Sequence, residues 1–166
     1  MKQIVIILGI IMTILVINKQ EEIIIPKESI RFRVIANSND IEDQKLKKEI
    51  VNNLSKEIIN KNINNIDAER TYLKRNLPEF TKIVDKTINN SNSDKDFHIN
   101  YGKNYFPEKK YKNVTYPSGK YESLVITIGE GKGKNFWCVL FPPLCLIDEE
   151  TKEYPSLIKD IINKYF

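Results

Sequence analysis

The feature that most constrains the fold is an uninterrupted apolar run, Phe136 to Phe141, which two prolines follow directly. A run of this length predicts a strand that is buried on both faces, and we expect it to be a central strand of a sheet. Pro142 and Pro143 must end the strand, because proline has no N–H to donate to a neighbouring strand. The sequence therefore predicts a sheet with this run inside it.

Three further segments have strand character. Residues 29–36 alternate apolar side chains with two arginines, which is the period of a half-buried strand. Residues 124–128 show the same alternation, and residues 97–105 look extended. The lysine-rich stretch up to Asn113 is expected to be a solvated loop, and Tyr116–Gly119 has the residues of a turn.

Three helices are predicted between residues 40 and 89, and a fourth, short helix near the C-terminus. Asp67 is a possible cap of the second helix. Pro78 suits the first turn of the third, where its missing N–H costs nothing. The apolar stripes of the four helices are, in order, Leu46, Ile50, Leu54 and Ile58; Ile66, Leu73 and Leu77; Phe80, Ile83, Val84 and Ile88; and Leu157, Ile158, Ile161 and Ile162.

One strand, a group of helices and then further strands make an α+β domain with helices packed on one face of a mainly antiparallel sheet. At 166 residues the chain is long enough to bury the core of a single domain. We expect a signal peptide or membrane anchor at residues 1–20, a linker at residues 21–28 and the folded domain at residues 29–166.

The N-terminus has the pattern of an export segment. Lys2 precedes the apolar run Ile4 to Ile17, whose length fits the roughly 7–15 residues of a secretory h-region better than the roughly 20 of a spanning helix. A small-x-small cleavage site is missing around Leu15 to Asn18, so an uncleaved membrane anchor is the alternative. Either way, we expect the domain to be exported.

Composition argues against several other classes of partner. The net charge is only +4, and no basic stripe is interleaved with aromatic residues, so no nucleic-acid partner is expected. The only histidine, His98, has neither a nucleophile motif nor a metal-ligand spacing around it. We therefore expect no catalytic residues, no metal and no cofactor.

Export changes how the two cysteines are interpreted. In an oxidising compartment Cys138 and Cys145 are candidates for one disulfide, with two buried free thiols as the alternative. Their spacing excludes a redox-active C-x-x-C motif. An extracytoplasmic enzyme that uses Cys138 as a nucleophile, paired with His98, stays open as an alternative function.

The glycine-rich segment Gly129–Lys134 follows a strand, as a phosphate-binding loop would. It lacks the Ser or Thr after the lysine, and a strand rather than a helix comes next. We therefore interpret it as a hairpin connection, with exposed Lys132 and Lys134 beside Trp137 as a recognition tip. The candidate partner-binding residues here are Gly129, Gly131, Lys132, Gly133, Lys134 and Trp137.

A second polar segment lies between the first strand and the first helix. Asn39 as N-cap and Glu42 three residues later resemble a capping box, which would explain the segment by local structure alone. A functional interpretation is that other side chains present a polar surface at the sheet edge. Those candidates are Asn37, Ser38, Asp43 and Gln44.

The order of these segments resembles a known family. The export segment, the run Ile30 to Ser38 with Asp43-Gln44, and the block Asn135 to Cys145 are similar to stage II sporulation protein R of endospore-forming Gram-positive bacteria. The similarity extends over nearly the whole exported part, and the block that ends at Cys145 is its most specific portion.

The resemblance implies an exported signal rather than a catalyst. Such proteins are made in the forespore and reach the space between the forespore and mother-cell membranes. There they activate a membrane-embedded aspartic-type protease, which matures the early mother-cell pro-sigma factor. We expect the candidate residues to contact that protease and the N-terminal segment to contact the membrane. A cell-wall binding module is a further alternative function.

Overall fold

A computed structural model describes residue 3 and residues 22–59, 63–146 and 153–166. The predicted export segment lies outside the described residues except for residue 3, and no described helix is long and apolar enough to cross a membrane. The elements in chain order are β1 (Ile23–Ile24), β2 (Ile30–Ile35), α1 (Ile41–Ile59), α2 (Ile66–Asn90), β3 (Phe97–Phe106), β4 (Lys109–Tyr111), β5 (Val114–Tyr116), β6 (Gly119–Ile128), β7 (Asn135–Phe141), a 3-10 turn (Leu144–Leu146) and α3 (Tyr154–Tyr165).

The described strands form two mixed sheets. In the four-stranded sheet the order is β3-β6-β2-β7, with β2 parallel to β6 and the other pairs antiparallel. In the three-stranded sheet the order is β1-β5-β4, with β1 parallel to β5. Helices α1 and α2 pack on one face of the larger sheet. The predicted α+β class with helices on one face is confirmed.

The core follows the apolar stripes of the sequence. The predicted first-helix stripe is buried against alternate residues of β2 and β6, which place one face of each strand toward the helices. Burying a Leu or Ile side chain contributes roughly 1.5–3 kcal/mol, so this layer supplies much of the stability. Its fully buried members include Ile30, Phe32, Val34, Ile50, Leu54, Leu73, Phe80, Leu124 and Ile126.

The apolar run of β7 lies at an edge of the sheet, so the expectation of a central strand is wrong. Among the described strands, β7 pairs only with β2. It is apolar throughout because both of its faces are covered. Cys138 and Leu140 face the helices, while Val139 packs with Ile25 and Ile158 in a second, smaller core.

The segment between residues 66 and 90 is one helix, and not the two that were predicted. Pro78 lies inside it and removes one backbone donor. The helix continues because Leu73, Phe80 and Val84 share a face that is completely buried, and this packing offsets the local cost. Its N-cap is Asn65, whose Oδ1 accepts a hydrogen bond from Ala68 N at 2.8 Å, rather than Asp67.

Two stretches expected to be irregular contribute strands. Within the lysine-rich stretch, β4 pairs with β5, and the rings of Tyr111 and Tyr116 lie 5.7 Å apart. Inside the segment expected to be a linker, β1 pairs with β5 and Ile25 is completely buried. Lys110 does not prevent the strand because its charge lies toward solvent, where it pairs with Glu22 at 2.9 Å.

A carboxylate clamp joins α2 to the sheet. Arg70 donates from Nε to both oxygens of Glu122, at 2.8 and 2.9 Å, and from Nη2 at 2.7 Å. The hydroxyl of Tyr101 on β3 donates to the same carboxylate at 2.7 Å. The pKa of Glu122 lies below its ordinary value, mainly because of the hydrogen bonds from Arg70.

Glu69 stands next to this clamp without the same support. Its side chain is only 5% exposed, and burial raises its pKa to about 7. In an unfolded chain the same carboxyl would titrate near its ordinary pKa of 4.5. The folded state therefore holds a proton on Glu69 at pH values where the unfolded state has lost it.

This difference predicts that the protein becomes less stable as the pH rises from about 5 to 8. Below the unfolded-state pKa the carboxyl of Glu69 is protonated in both states and does not lower the free energy of unfolding. Above the folded-state pKa it is ionised in both states, and its burial lowers the free energy of unfolding by on the order of 1–3 kcal/mol. Glu69→Gln should flatten that slope and stabilise the protein at pH 8. Urea unfolding of the wild-type and variant proteins at several pH values measures the free energy of unfolding as a function of pH. An equal pH dependence in the two proteins would contradict the assignment of this effect to Glu69.

Candidate functional site

The glycine segment, residues 129–134, passes over the C-terminal end of β2. Because β2 lies between β6 and β7, the segment is a crossing and not the hairpin that the sequence predicted. Its backbone is bonded to the turn after β2: Gly133 N donates to Ala36 O and Lys132 N to Asn37 O, each at 2.9 Å. We call residues 36–44 together with residues 129–134 the junction.

Asn37 ties both halves of the junction together. Its Nδ2 donates to Asp43 Oδ2 at 2.6 Å, and its Oδ1 accepts from Glu130 N at 3.0 Å. Burial acts to raise the pKa of Asp43, but hydrogen bonds from Asn37 and Ser38 outweigh it and hold that pKa below its ordinary value. Asp43 therefore stays ionised and keeps the amide of Asn37 oriented toward the glycine segment.

A second chain of hydrogen bonds runs from α1 to the far end of the glycine segment. Gln44 Nε2 donates to Ser38 O at 2.8 Å, and Gln44 Oε1 accepts from Lys47 Nζ at 2.7 Å. Lys47 also donates to Lys134 O at 3.0 Å. The pKa of Lys47 is lowered, mainly by burial. Lys47 was not predicted as a site residue, and its position off the apolar stripe would not have distinguished it.

Asn39 is not the N-cap that the sequence predicted. Its Oδ1 accepts from the backbone N–H of Lys134 at 2.8 Å, which commits the side chain to the glycine segment. Helix α1 begins at Ile41, after Asp40, whose N–H donates to Ser38 Oγ at 3.0 Å. The polar segment is therefore explained by contacts distant in sequence as much as by helix capping.

The glycines of the segment are required by close contacts. A Cβ on Gly133 would lie 2.1 Å from Ser38 O, and one on Gly129 would lie 2.3 Å from Asn37 Oδ1. Gly129 also has a φ of +51°, a conformation that favours glycine. The two halves of the junction can approach this closely only without side chains.

The exposed part of the junction combines charges with one large apolar side chain. Ile41, at the first position of α1, is 88% exposed. It borders a cleft of about 1170 Å³ between the start of α1 and residues 90–95. Lys132 and Glu130 form an exposed ion pair at 2.6 Å. Sequence reasoning missed Ile41, although its position off the apolar stripe of α1 was a usable signal.

Trp137 does not belong to the junction. It lies on the opposite face of the larger sheet from the helices, with its ring centroid 5.4 Å from that of Phe106. The other nine candidate residues do come together. Seven of them make hydrogen bonds inside the junction, namely Asn37, Ser38, Asp43, Gln44, Lys132, Gly133 and Lys134.

The cysteines form the predicted disulfide. Cys138 and Cys145 are bonded, with their Cα atoms 5.5 Å apart, and the structure holds no free cysteine. The alternative of two buried free thiols is therefore wrong. The bond joins the middle of β7 to the 3-10 turn, and in this state Cys138 has no thiol to act as a nucleophile. Within the described ranges, no group of three or more His, Cys, Asp or Glu side chains is placed to hold a metal ion.

The described residues thus form an α+β domain with a hydrogen-bonded polar junction and a disulfide-linked strand. The family model for stage II sporulation protein R matches residues 26–151. Stage II sporulation protein R of Bacillus subtilis (strain 168) is 39% identical over 138 residues, which cover 82% of this chain and 62% of that relative. No solved structure matches the chain.

The chain belongs to the stage II sporulation protein R family. It spans about 62% of the length of the curated relative that it matches. Both the family and this relative are named for stage II of sporulation.

The close contact at Gly133 generates a stability prediction. Gly133→Ala should lower the free energy of unfolding by about 2–4 kcal/mol, because the new methyl group would force the backbone of Ser38 away. Gly102→Ala on β3 is the matched control, since its Cβ would meet nothing closer than 3.6 Å and should cost less than about 1 kcal/mol. Urea unfolding compares the two, and equal losses would count against the close packing of the junction.

Proposed function

We propose that this protein is an exported sporulation signal that activates a membrane-embedded aspartic-type protease of the mother cell. It acts in the space between the forespore and mother-cell membranes, and its N-terminal segment serves as signal peptide or anchor. Activation leads to proteolytic maturation of the early mother-cell pro-sigma factor. Support comes from the family and from the rigid, partly apolar surface of the junction.

The single observation that carries this proposal is the exposed Ile41 on an ordered junction. An isolated apolar side chain on a rigid support is a suitable anchor for a partner pocket, because most binding energy at an interface comes from a few such residues. Asp40, Glu42 and Lys45 line the same cleft, and their charges would fix orientation. Since the junction is already ordered by internal hydrogen bonds, little conformational entropy is lost on binding.

Activation by binding requires a difference in affinity between two states of the protease. The signal must bind the active or dimeric state more tightly than the inactive one, and the ratio of these affinities limits the shift in population. A rigid junction suits this role because it cannot adapt its shape to both states equally. No chemical step by this chain is needed.

Replacing Ile41 tests the proposal. In a non-sporulating host that co-produces the chain, the candidate protease and the pro-sigma factor, Ile41→Asp should reduce processing at least tenfold, because it places a charge in the partner's pocket. Ile24→Asp on β1 is the matched control, since Ile24 is also exposed, at 59%, but lies outside the junction. Immunoblots of the mature sigma factor measure the outcome.

Two outcomes would contradict this account in different ways. Processing that does not depend on the chain at all would remove the signalling function. Processing that depends on the chain but is equally sensitive to Ile24→Asp and Ile41→Asp would keep the function and reject the junction as the contact surface. Circular dichroism of both variants checks that they are folded.

The disulfide also separates this proposal from a thiol-dependent enzyme. The exported protein should have no thiol that reacts with a thiol reagent until it is reduced, and then both of its cysteines should react. Thiol titration before and after reduction measures this. A reactive thiol in the unreduced exported protein would instead support the alternative of a thiol-dependent enzyme. For a cell-wall binding module, the corresponding observation is co-sedimentation with peptidoglycan in the absence of the protease.

A further inference from the structure

The face of the larger sheet that points away from the helices carries an unusual group of cations and aromatic rings. Arg31 and Arg33 alternate on β2 with residues of the main core, so both lie on this second face. Trp137 pairs with Arg33 across β2 and β7, and Lys109 of β4 lies 5.6 Å from the Trp137 ring centroid. We call Arg31, Arg33, Lys109 and Trp137 the cationic patch.

Arg31 forms the floor of the patch. It is 3% exposed, and its Cζ lies 3.3 Å from the ring centroid of Tyr121 and 5.4 Å from that of Phe106. Stacking on two rings stabilises the guanidinium. Its Nε and Nη2 nevertheless find no hydrogen-bond partner among the described residues. Burial, as the main cause, lowers the pKa of Arg31, so a positive charge is held here at a cost.

Arg33 is more accessible and is held in a fixed plane. Its Cζ lies 4.6 Å from the Trp137 ring centroid. The side-chain amide of Asn135 is oriented so that its nitrogen donates to Gly133 O at 3.0 Å. In this orientation its oxygen accepts a hydrogen bond from Arg33 Nε at 3.2 Å. The Nη1 contact with Tyr105 O, at 3.5 Å, is at the limit of a hydrogen bond. Most of the donor edge formed by Nη1 and Nη2 therefore remains available, already oriented by the stacked ring.

No ion pair among the described residues engages a cation of the patch. These ion pairs engage Arg70, Lys82, Lys110 and Lys132. Burial lowers the pKa of Arg33, and no neighbouring carboxylate opposes this shift. Arg33 and Lys109 thus lie over the indole ring, and Arg31 lies over the neighbouring rings of Tyr121 and Phe106, in a protein whose net charge is only +4.

The geometry favours an anion that presents two oxygens to one guanidinium, such as a carboxylate, over a point charge. A stacked guanidinium presents two parallel N–H groups that match the two oxygens of a carboxylate, and such pairs are stronger and more specific than a point contact with lysine. A nucleic acid would need a longer basic track with several stacking rings, whereas the chain has a single Trp. An anionic membrane surface attracts clustered lysines without requiring an oriented fork.

We propose that the cationic patch binds an acidic peptide segment of a protein partner. One side-chain carboxylate of that segment pairs with the free edge of Arg33 against Trp137, and a second lies near Lys109. Arg31 contributes its buried charge from below. This contact is separate from the junction and does not require the partner to be a protease.

A direct titration tests the inference apart from any sporulation function. The probe is an oligoglutamate peptide with blocked ends, added to the purified protein at low ionic strength. Trp137 is the only Trp, so its fluorescence reports on the patch itself. We expect a saturable change that weakens strongly when salt is raised, because the contact is largely electrostatic.

Matched variants assign the binding to the patch. Arg33→Gln should weaken binding at least tenfold, and Arg33→Lys should also weaken it, since it keeps the charge but loses the fork. Arg75→Gln removes the same charge from the exposed side of α2 and should leave binding unchanged. Circular dichroism checks the fold of each variant, and calorimetry repeats the titration without relying on fluorescence.

Three results would each overturn the inference. The first is the absence of saturable binding of oligoglutamate up to millimolar concentrations. The second is equal binding of oligoglutamate and oligoglutamine, or an equal effect of Arg33→Gln and Arg75→Gln. The third is binding to phosphatidylglycerol vesicles but not to the peptide, which would assign the patch to a membrane surface. Since no protease takes part, none of these results bears on the signalling function.

Discussion

The close approach of two backbone segments at the end of β2 is the constraint on which the rest of the structure depends. Gly133 lies against Ser38 with no room for a side chain, and this contact lets the glycine segment cross over β2. The crossing delivers β7 to the far side of β2, where it forms an edge. The disulfide, the second core and the position of Trp137 all follow from where β7 is placed.

The sequence was a good guide where a signal is local and periodic. Apolar stripes four residues apart located α1 and α3, alternation located β2 and β6, and the export pattern led to the disulfide. It was a poor guide where distant contacts decide. A glycine-rich link between two strands is the same signal for a hairpin and for a crossing, and only the position of β2 distinguishes them. Pro78 is a helix breaker by propensity, but the buried face of α2 overrides it.

The candidate site shows the same contrast between signals that are local in sequence and features that depend on the tertiary structure. Nine of the ten predicted residues come together because polar residues near Asn37 and the glycines need each other structurally. For that reason several of them, including Asp43 and Gln44, serve to hold the surface rather than to present it. The residues best placed to meet a partner, Ile41 and Arg33, carry no motif. Their importance rests on exposure and on missing counter-charges, which depend on the tertiary structure.

The pairing of β1 with β5 has a consequence for the geometry of the protein at a membrane. The first described strand begins at Ile23, so only residues 21 and 22 separate it from the predicted segment 1–20. A fully extended residue spans at most about 3.6 Å, which makes this tether on the order of 10 Å long. Were the segment kept as an anchor in the exported protein that we propose, the folded domain would begin close to the membrane surface. The domain would then stay close to that bilayer, and a partner in an opposing membrane would contact it only where the two membranes lie close together.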